Sequence, residues 1–408
     1  MAHAHSHGSA GPAEPRTTFL LVVILVSALL LTLAGLWLLW PSAGDVPDRV
    51  PARAEGTSFV DVTVTGPADP DTGSIPVELP SGEASRMQSP GPSVPLADGD
   101  RITAVDISGV SQPGVDPLVF MDFQRELPIA LLAVVYALVV LLVARWRGLA
   151  AMAGLGLAFV VLLGFTMPAL LAGQSAIGVA LVTSSLVMFV TLYLAHGLSA
   201  RTSTALLGTL VGLGLTALLA AWASGAAQIT GTNDEMSAFL PSSAPGADLR
   251  GIALCGIVLA GMGVLNDVTI TQASAVWELR GVAPMASRAE LFARAMRIGR
   301  DHIASTVYTI AFAYVGASLP LLMMVWLVDQ SPATALTSGE IAEEVVRTLV
   351  GSIGLVLAIP VTTAIATLTV PGPAAEGSPR PEPASDPELM APVSEAWASA
   401  PPSGTAAP

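Results

Sequence analysis

The chain has 408 residues, its mean hydropathy is +0.68, and only 12% of its residues are charged. Soluble domains carry about 25% charged residues, so this composition excludes an ordinary water-soluble protein and indicates that the chain is dissolved in a lipid bilayer. The net charge of -14 argues against nucleic-acid binding. A single cysteine excludes an internal disulfide and a cysteine metal cluster.

The chain begins with a polar segment that leads into a long apolar run. Residues 1–18 are small and polar, which predicts a disordered cytoplasmic N-terminus. The alternating histidines His3, His5 and His7 could bind a divalent transition metal weakly, or they are simply part of a disordered tail. Residues 19–40 carry no charge and are long enough to cross a hydrocarbon core of about 30 Å. They predict an uncleaved transmembrane anchor.

Residues 41–126 have the composition of a small domain outside the membrane, rich in Pro, Gly, Asp and Ser. Ser58–Val64 alternates between apolar and polar residues, as a half-buried strand does. Residues 75–79 and 101–107 predict two more strands, and Pro76 places the first of them at a sheet edge. We therefore expect a β-rich extracytoplasmic domain here.

Apolar spans then follow one another closely. The sequence predicts seven of them, at residues 127–144, 149–171, 176–196, 204–222, 251–275, 303–328 and 349–370. With the anchor they make an all-α polytopic membrane bundle of about eight transmembrane helices, followed by a disordered Pro- and Ala-rich tail at 371–408. Arginines concentrate in three loops on one side, which the positive-inside rule places in the cytoplasm together with both termini.

Polar residues inside the spans are the candidate transport site, because they are costly in lipid. The span at 251–275 carries Asn266, Asp267 and Thr271, and the last two share a helix face. Asp267 lies about 24 Å along the helix from the start of that span, still at membrane depth. The next span begins with a second polar set: Arg300, Asp301, His302, Thr306 and Thr309.

Three interpretations of this set are open. In the first, Asp267 pairs with Arg300 or His302 and merely joins two helices, since a buried carboxylate needs a partner. In the second, the group is a cation or proton site open to the cytoplasm. In the third, the span boundaries are wrong and these residues lie in water. Pro168, Pro320 and Pro360 interrupt three spans, either as tolerated kinks or as the broken helices that line transporter sites.

Carboxylates outside the membrane form a second candidate feature. An acidic rim of Glu235, Glu340, Glu343 and Glu344 would concentrate cations, or it is a solvated amphipathic stretch. The sequence contains no nucleophile elbow, Walker loop or zinc-protease motif. We therefore expect neither an enzyme nor a cofactor. The expected partners are the bilayer, a small cation or solute, and further copies of the chain.

Several long motifs are similar to those of a known family. They are the stretch from Gly261 to Thr271, the stretch from Ile298 to Thr309, the run from Ala313 to Pro320, and the segment from Glu340 to Pro360. These motifs resemble the YibE/F-like family of bacterial multi-pass membrane proteins across about residues 120–369. The resemblance implies a bacterial cell-membrane protein and supports Asp267, Arg300 and Asp301 as motif positions, without implying a substrate.

Two functional hypotheses follow. The first is a secondary transporter or permease for a cation or a proton-coupled small solute, based on Asp267 and the polar residues of the following span. The second is a non-transporting membrane scaffold or sensor whose outer domain binds a partner. It is based on the long soluble segments on either side of the helices.

Overall fold

A computed structural model gives the structure of the protein. It describes residues 14–112, 114–232 and 239–373, and the side chain of Glu340 lies outside the described part. His3, His5, His7 and Glu235 also lie outside it. The chain divides into two compact units. One comprises the described parts of 41–173 and 238–247, and the other comprises the described parts of 1–40, 174–237 and 248–408.

The first unit contains a small closed β-barrel. Its strands are β1 (Ser58–Val64), β2 (Ser74–Glu78), β3 (Ala84–Gln88), β4 (Arg101–Asp106) and β5 (Leu118–Phe123). The order around the barrel is β1-β2-β3-β5-β4, with β3 and β5 parallel and the other pairs antiparallel. This Greek-key order is that of OB-fold barrels. Alternate residues point inward to form the core: Val62, Val64, Ile75, Val77, Met87, Ile102, Ala104 and Leu118.

The barrel confirms three predicted strands and adds two. β3 escapes detection because it contributes only one fully buried side chain, Met87, between polar residues. β5 reads in sequence as the approach to the first apolar span. The expected edge position of Pro76 is wrong, because β2 is closed on both sides. Pro76 lies just past the last residue pair of the β1–β2 ladder, Val64 with Val77, so its missing N–H breaks no pair there.

A long helical run follows the barrel. α2 (Glu126–Val161) continues through a π-helical turn at Leu162–Thr166 into α3 (Met167–Leu171). Arg145 breaks α2 with φ 52° and ψ -134°. A Cβ added to Gly148 would lie 2.6 Å from the Val140 carbonyl oxygen. Eight residues of straight helix rise about 12 Å, so the chain reverses direction at this break. The short α6 (Leu240–Ser243) completes the unit.

The second unit is a helical bundle. Its elements are α1 (Pro15–Leu38), α4 (Ala176–His196), α5 (Ala200–Ala226), α7 (Leu249–Val282), α8 (Arg288–Ala317), α9 (Leu319–Leu327), α10 (Pro332–Leu336) and α11 (Gly339–Thr369). α1, α5 and α8 run in one direction and α4, α7 and α11 in the other, as their contacts show. For example, Gly35 near the end of α1 lies against Val182 near the start of α4.

The helices α5, α7 and α11 pack closely because glycines on each helix lie directly against side chains of a neighbouring helix. A Cβ added to Gly208 would lie 2.3 Å from Thr362 Oγ1, and one added to Gly354 would lie 2.2 Å from Thr216 Oγ1. Small residues let membrane helices approach in this way. The start of α1 also lies beside the end of α11, since a Cβ on Gly372 would lie 3.4 Å from Glu14 Oε1.

Six described helices are long and apolar enough to cross a membrane, or seven if the bent pair α8 and α9 is one span. The predicted count was eight. The difference arises because the two spans predicted at 127–144 and 149–171 fall within one helical run of 46 residues. The predicted interruptions also differ in kind. Pro168 follows a π-helical turn and Pro320 begins α9 after a bend of 67°, whereas Pro360 lies inside a continuous α11.

Candidate intramembrane polar site

The polar residues predicted to form a site come from two antiparallel helices, α7 and α8. α8 begins with a capping box, in which the Ser287 hydroxyl accepts from the Glu290 N–H and the Glu290 carboxylate accepts from the Ser287 N–H. This cap fixes where α8 starts. From there the stripe Leu291, Ala295 and Gly299 is buried on one face of the helix, which brings His302 to the middle of α7.

Asp267 and His302 face each other across the two helices. Asp267 Oδ2 lies 4.0 Å from His302 Nε2, which is an ion-pair distance but is too long for a hydrogen bond. The Asp267 side chain is 72% exposed and the His302 side chain 29%. His302 Nε2 itself is buried and has no hydrogen-bond partner among the described residues. Of the two predicted partners of Asp267, the structure therefore brings His302 close and not Arg300.

The remaining predicted residues surround this pair unequally. Asn266 Oδ1 is buried without a hydrogen-bond partner in the described chain. Thr306 Oγ1 donates to the His302 carbonyl at 2.9 Å, and Thr309 Oγ1 donates to the Ser305 carbonyl at 3.2 Å. Both hydroxyl protons are thus used within α8, and the oxygens retain lone pairs for a ligand. The other three, Thr271, Arg300 and Asp301, are exposed.

Chemically, the pair combines two groups that exchange protons. A carboxylate attracts a cation or accepts a proton, and an imidazole nitrogen can accept or donate one. If His302 is protonated, the 4.0 Å separation becomes a charge-assisted contact. If it is neutral, Nε2 remains an unfilled acceptor or donor, depending on the tautomer.

Gln272 is one of the polar residues of the span at 251–275, but it was not among the predicted site residues; it is 2% exposed at the junction of α7, α8 and α11. Its Nε2 donates to the Ala295 carbonyl at 2.9 Å and to Thr363 Oγ1 at 2.8 Å. Hydroxyl pairs continue this buried polar layer, with Thr209 and Thr269 at 2.6 Å and Thr204 and Thr369 at 2.9 Å. The sequence does show a polar residue within the apolar span, five residues beyond Asp267. It does not show the partners of Gln272, because Ala295 and Thr363 lie in distant segments.

The acidic rim is only partly within the described structure. Glu343 and Glu344 lie in the first turns of α11 and both bind Arg347, Glu343 at 2.9 Å from Nη2 and Glu344 through Nη1. One guanidinium thus compensates one of two carboxylate charges. Glu235 and the Glu340 side chain lie outside the described residues.

The histidine cluster His3, His5 and His7 also lies outside the described residues, so its metal site stays a prediction. Across residues 14–112, 114–232 and 239–373, no group of three His, Cys, Asp or Glu side chains is placed to hold a metal ion.

Comparison with known proteins gives one match. The family model described as YibE/F-like protein matches residues 132–372. No curated protein and no solved structure matches the chain. The matched segment is more than half of the chain and contains both Asp267 and His302. The chain therefore belongs to the YibE/F-like protein family.

Proposed function

We propose that the protein is a secondary transporter or permease that moves a cation or a proton-coupled small solute, with Asp267 and His302 at its site. The observation that carries this proposal is their approach to 4.0 Å across α7 and α8, near the middle of a span. Ionisable residues at membrane depth commonly mark ion pathways. A merely structural pair would be expected to close to hydrogen-bond distance and to be shielded, whereas Asp267 is largely exposed.

The proposed mechanism uses the charge of this pair. A proton that binds to His302 makes the pair mutually attractive, and a proton that then binds to Asp267 makes it weakly interacting again. Either step changes the contact between α7 and α8. The bend of 67° at Pro320 offers a place where α8 can move relative to its extension α9. Binding energy that differs between two such arrangements is what transport requires.

The proposal includes eight membrane crossings with both termini in the cytoplasm of a bacterial cell. Six crossings lie in the helical unit, with alternating directions. α1 ends and α4 begins on the same side, so the segment between them must cross either twice or not at all. The apolar length of α2 and α3 and the reversal at Arg145 favour two crossings. The β-barrel then lies outside, opposite the arginine-rich loops.

Flux in proteoliposomes tests the proposal. Wild-type protein is screened with protons and common divalent cations and compared with Asp267→Asn. We expect the variant to lose flux by at least tenfold while it inserts and melts like wild type. The matched control is Glu278→Gln, an exposed carboxylate on the same helix that lies 3.9 Å from Arg201. Undiminished flux in Asp267→Asn would rule out this site.

A scaffold or sensor is the second candidate, and the closed β-barrel with its own core favours it. Such a core allows the barrel to be removed as a unit. Removal of residues 45–124 takes away all five strands and separates the two functions. A transporter core is expected to keep its flux, whereas a sensor should lose its output. No enzymatic reaction forms part of either proposal.

A further inference from the structure

The exposed face of α8 changes its chemistry halfway along the helix. In the first half the exposed side chains include Arg294, Arg297, Arg300 and Asp301, and in the second half they include Tyr308, Phe312 and Val315. The opposite face contains the buried residues Leu291, Ala295, Gly299 and Ile310, with the partly buried His302 and Thr306 between the last two. α8 is therefore packed on one side only, and its outer side is charged at one end and apolar at the other.

The charged half lies at a depth where two other helices of the bundle, α11 and α1, expose apolar side chains. Leu291 packs with Trp277 and with Val370, which marks the end of α11. Arg294 and Arg300 lie three and nine residues further along, which places them about 5 and 14 Å deeper. Near the same depth α11 exposes Leu368, and α1, which starts beside Gly372, exposes Phe19.

Lipid does not explain this charged face. An arginine can reach the interface from a few ångströms of depth by extending its side chain. For a row of three arginines and an aspartate, the free energy of exposing the charges to lipid rises with each turn of the helix. Water along this face of α8 would solvate all four charged side chains. Asp301, at the end of this row, is followed along α8 by His302, which faces Asp267 on the neighbouring helix α7.

We propose that the charged half of α8 lines a water-filled vestibule open to the cytoplasm, and that it draws an anionic group of a small solute toward Asp267 and His302. This inference rests on the proposed transport function and narrows its substrate class to solutes with a carboxylate or phosphate. Three guanidinium groups outnumber Asp301, and guanidinium binds such anions in a bidentate manner. An ionised Asp267 repels the anion. Uptake of a proton by the Asp267–His302 pair therefore favours binding of the anionic solute, and this couples proton binding to solute binding.

Cysteine labelling tests the vestibule without any knowledge of the substrate. Cys255, the single cysteine, is replaced by serine, and the full-length chain receives either Arg297→Cys or Val22→Cys. Val22 is the matched control, because it is exposed on α1 at a similar depth. With impermeant methanethiosulfonates applied to the cytoplasmic side, we expect Arg297→Cys to react at least tenfold faster than Val22→Cys.

The charge preference is measured at a deeper position of the same face. Ser305→Cys is labelled with an anionic and a cationic methanethiosulfonate, each rate being divided by that for a free thiol. The anionic reagent should react faster, and replacement of Arg294 and Arg297 by glutamine should lower the ratio about tenfold. Added salt should weaken the preference as well.

Three results would overturn the inference. Arg297→Cys could be as inert as Val22→Cys, which would mean a lipid-facing surface. The cationic reagent could be preferred at Ser305→Cys. Labelling could be fast in phosphatidylcholine vesicles but blocked in phosphatidylglycerol vesicles, which would mean that a lipid headgroup covers the face. Labelling does not require transport, so an absence of flux with rapid, anion-preferring labelling would count against the transporter alone.

Discussion

At the scale of single residues, the interior of the helical unit depends on a few buried polar contacts. Gln272 joins three helices because its amide reaches Ala295 on α8 and Thr363 on α11. Apolar packing alone gives little direction to helices in lipid, where the tails are as apolar as leucine, so such hydrogen bonds help fix their arrangement. The Asp267–His302 pair lies on two of the helices that meet at this junction, α7 and α8.

Gln272→Leu is expected to destabilise the bundle by about 1 kcal/mol, since it removes two hydrogen bonds at a buried position. Thermal unfolding in detergent gives the measurement. Thr271→Val is the matched control, because Thr271 is the exposed neighbour on the same helix. Equal melting temperatures for the two variants would show that the Gln272 contacts do not hold the helices together.

At the scale of helices, the close approach of α5 to α11 depends on where a side chain would fit. Position 208 has no space for a methyl group against Thr362, whereas a Cβ added to Gly214 on the same helix meets nothing within 4 Å. Two glycines that look alike in sequence therefore differ in role.

Gly208→Ala should lower stability by about 1–3 kcal/mol through overpacking, while Gly214→Ala should be neutral or slightly stabilising because alanine favours helix. The midpoint of thermal unfolding distinguishes them. Thr362→Ala in the Gly208→Ala background should restore part of the loss. A Gly214→Ala variant as unstable as Gly208→Ala would contradict the packing described for α5 and α11.

For the whole molecule, the direction of each helix determines which side of the membrane each loop faces. The eight crossings that we propose would place Trp146, at the reversal of α2, in the cytoplasm and Ser175, before α4, outside. In a Cys255→Ser background, Trp146→Cys should label only from the cytoplasmic side and Ser175→Cys only from the outer side. Labelling of both positions from one side would mean that residues 126–171 do not cross twice.

The helical class, most of the apolar spans and three of the five strands could be predicted from the sequence, because span length and alternation are local signals. Helix rise and connectivity also predicted that Asp267 lies near Arg300 or His302, and the structure selects His302. Other features could not be predicted. β3 exposes most of its side chains, and the partners of Gln272 are brought together only by packing. The double pairing of Arg347 likewise depends on rotamers that spacing alone leaves open.

The central claim is that Asp267 and His302 act together in moving a solute, and a double-mutant cycle on flux tests it most directly. Flux in proteoliposomes is measured for wild type, Asp267→Asn, His302→Gln and the double variant. Residues that act as a unit are strongly non-additive, so the double variant should be no slower than the worse single variant. Independent, multiplying losses, or normal flux in either single variant, would contradict the claim.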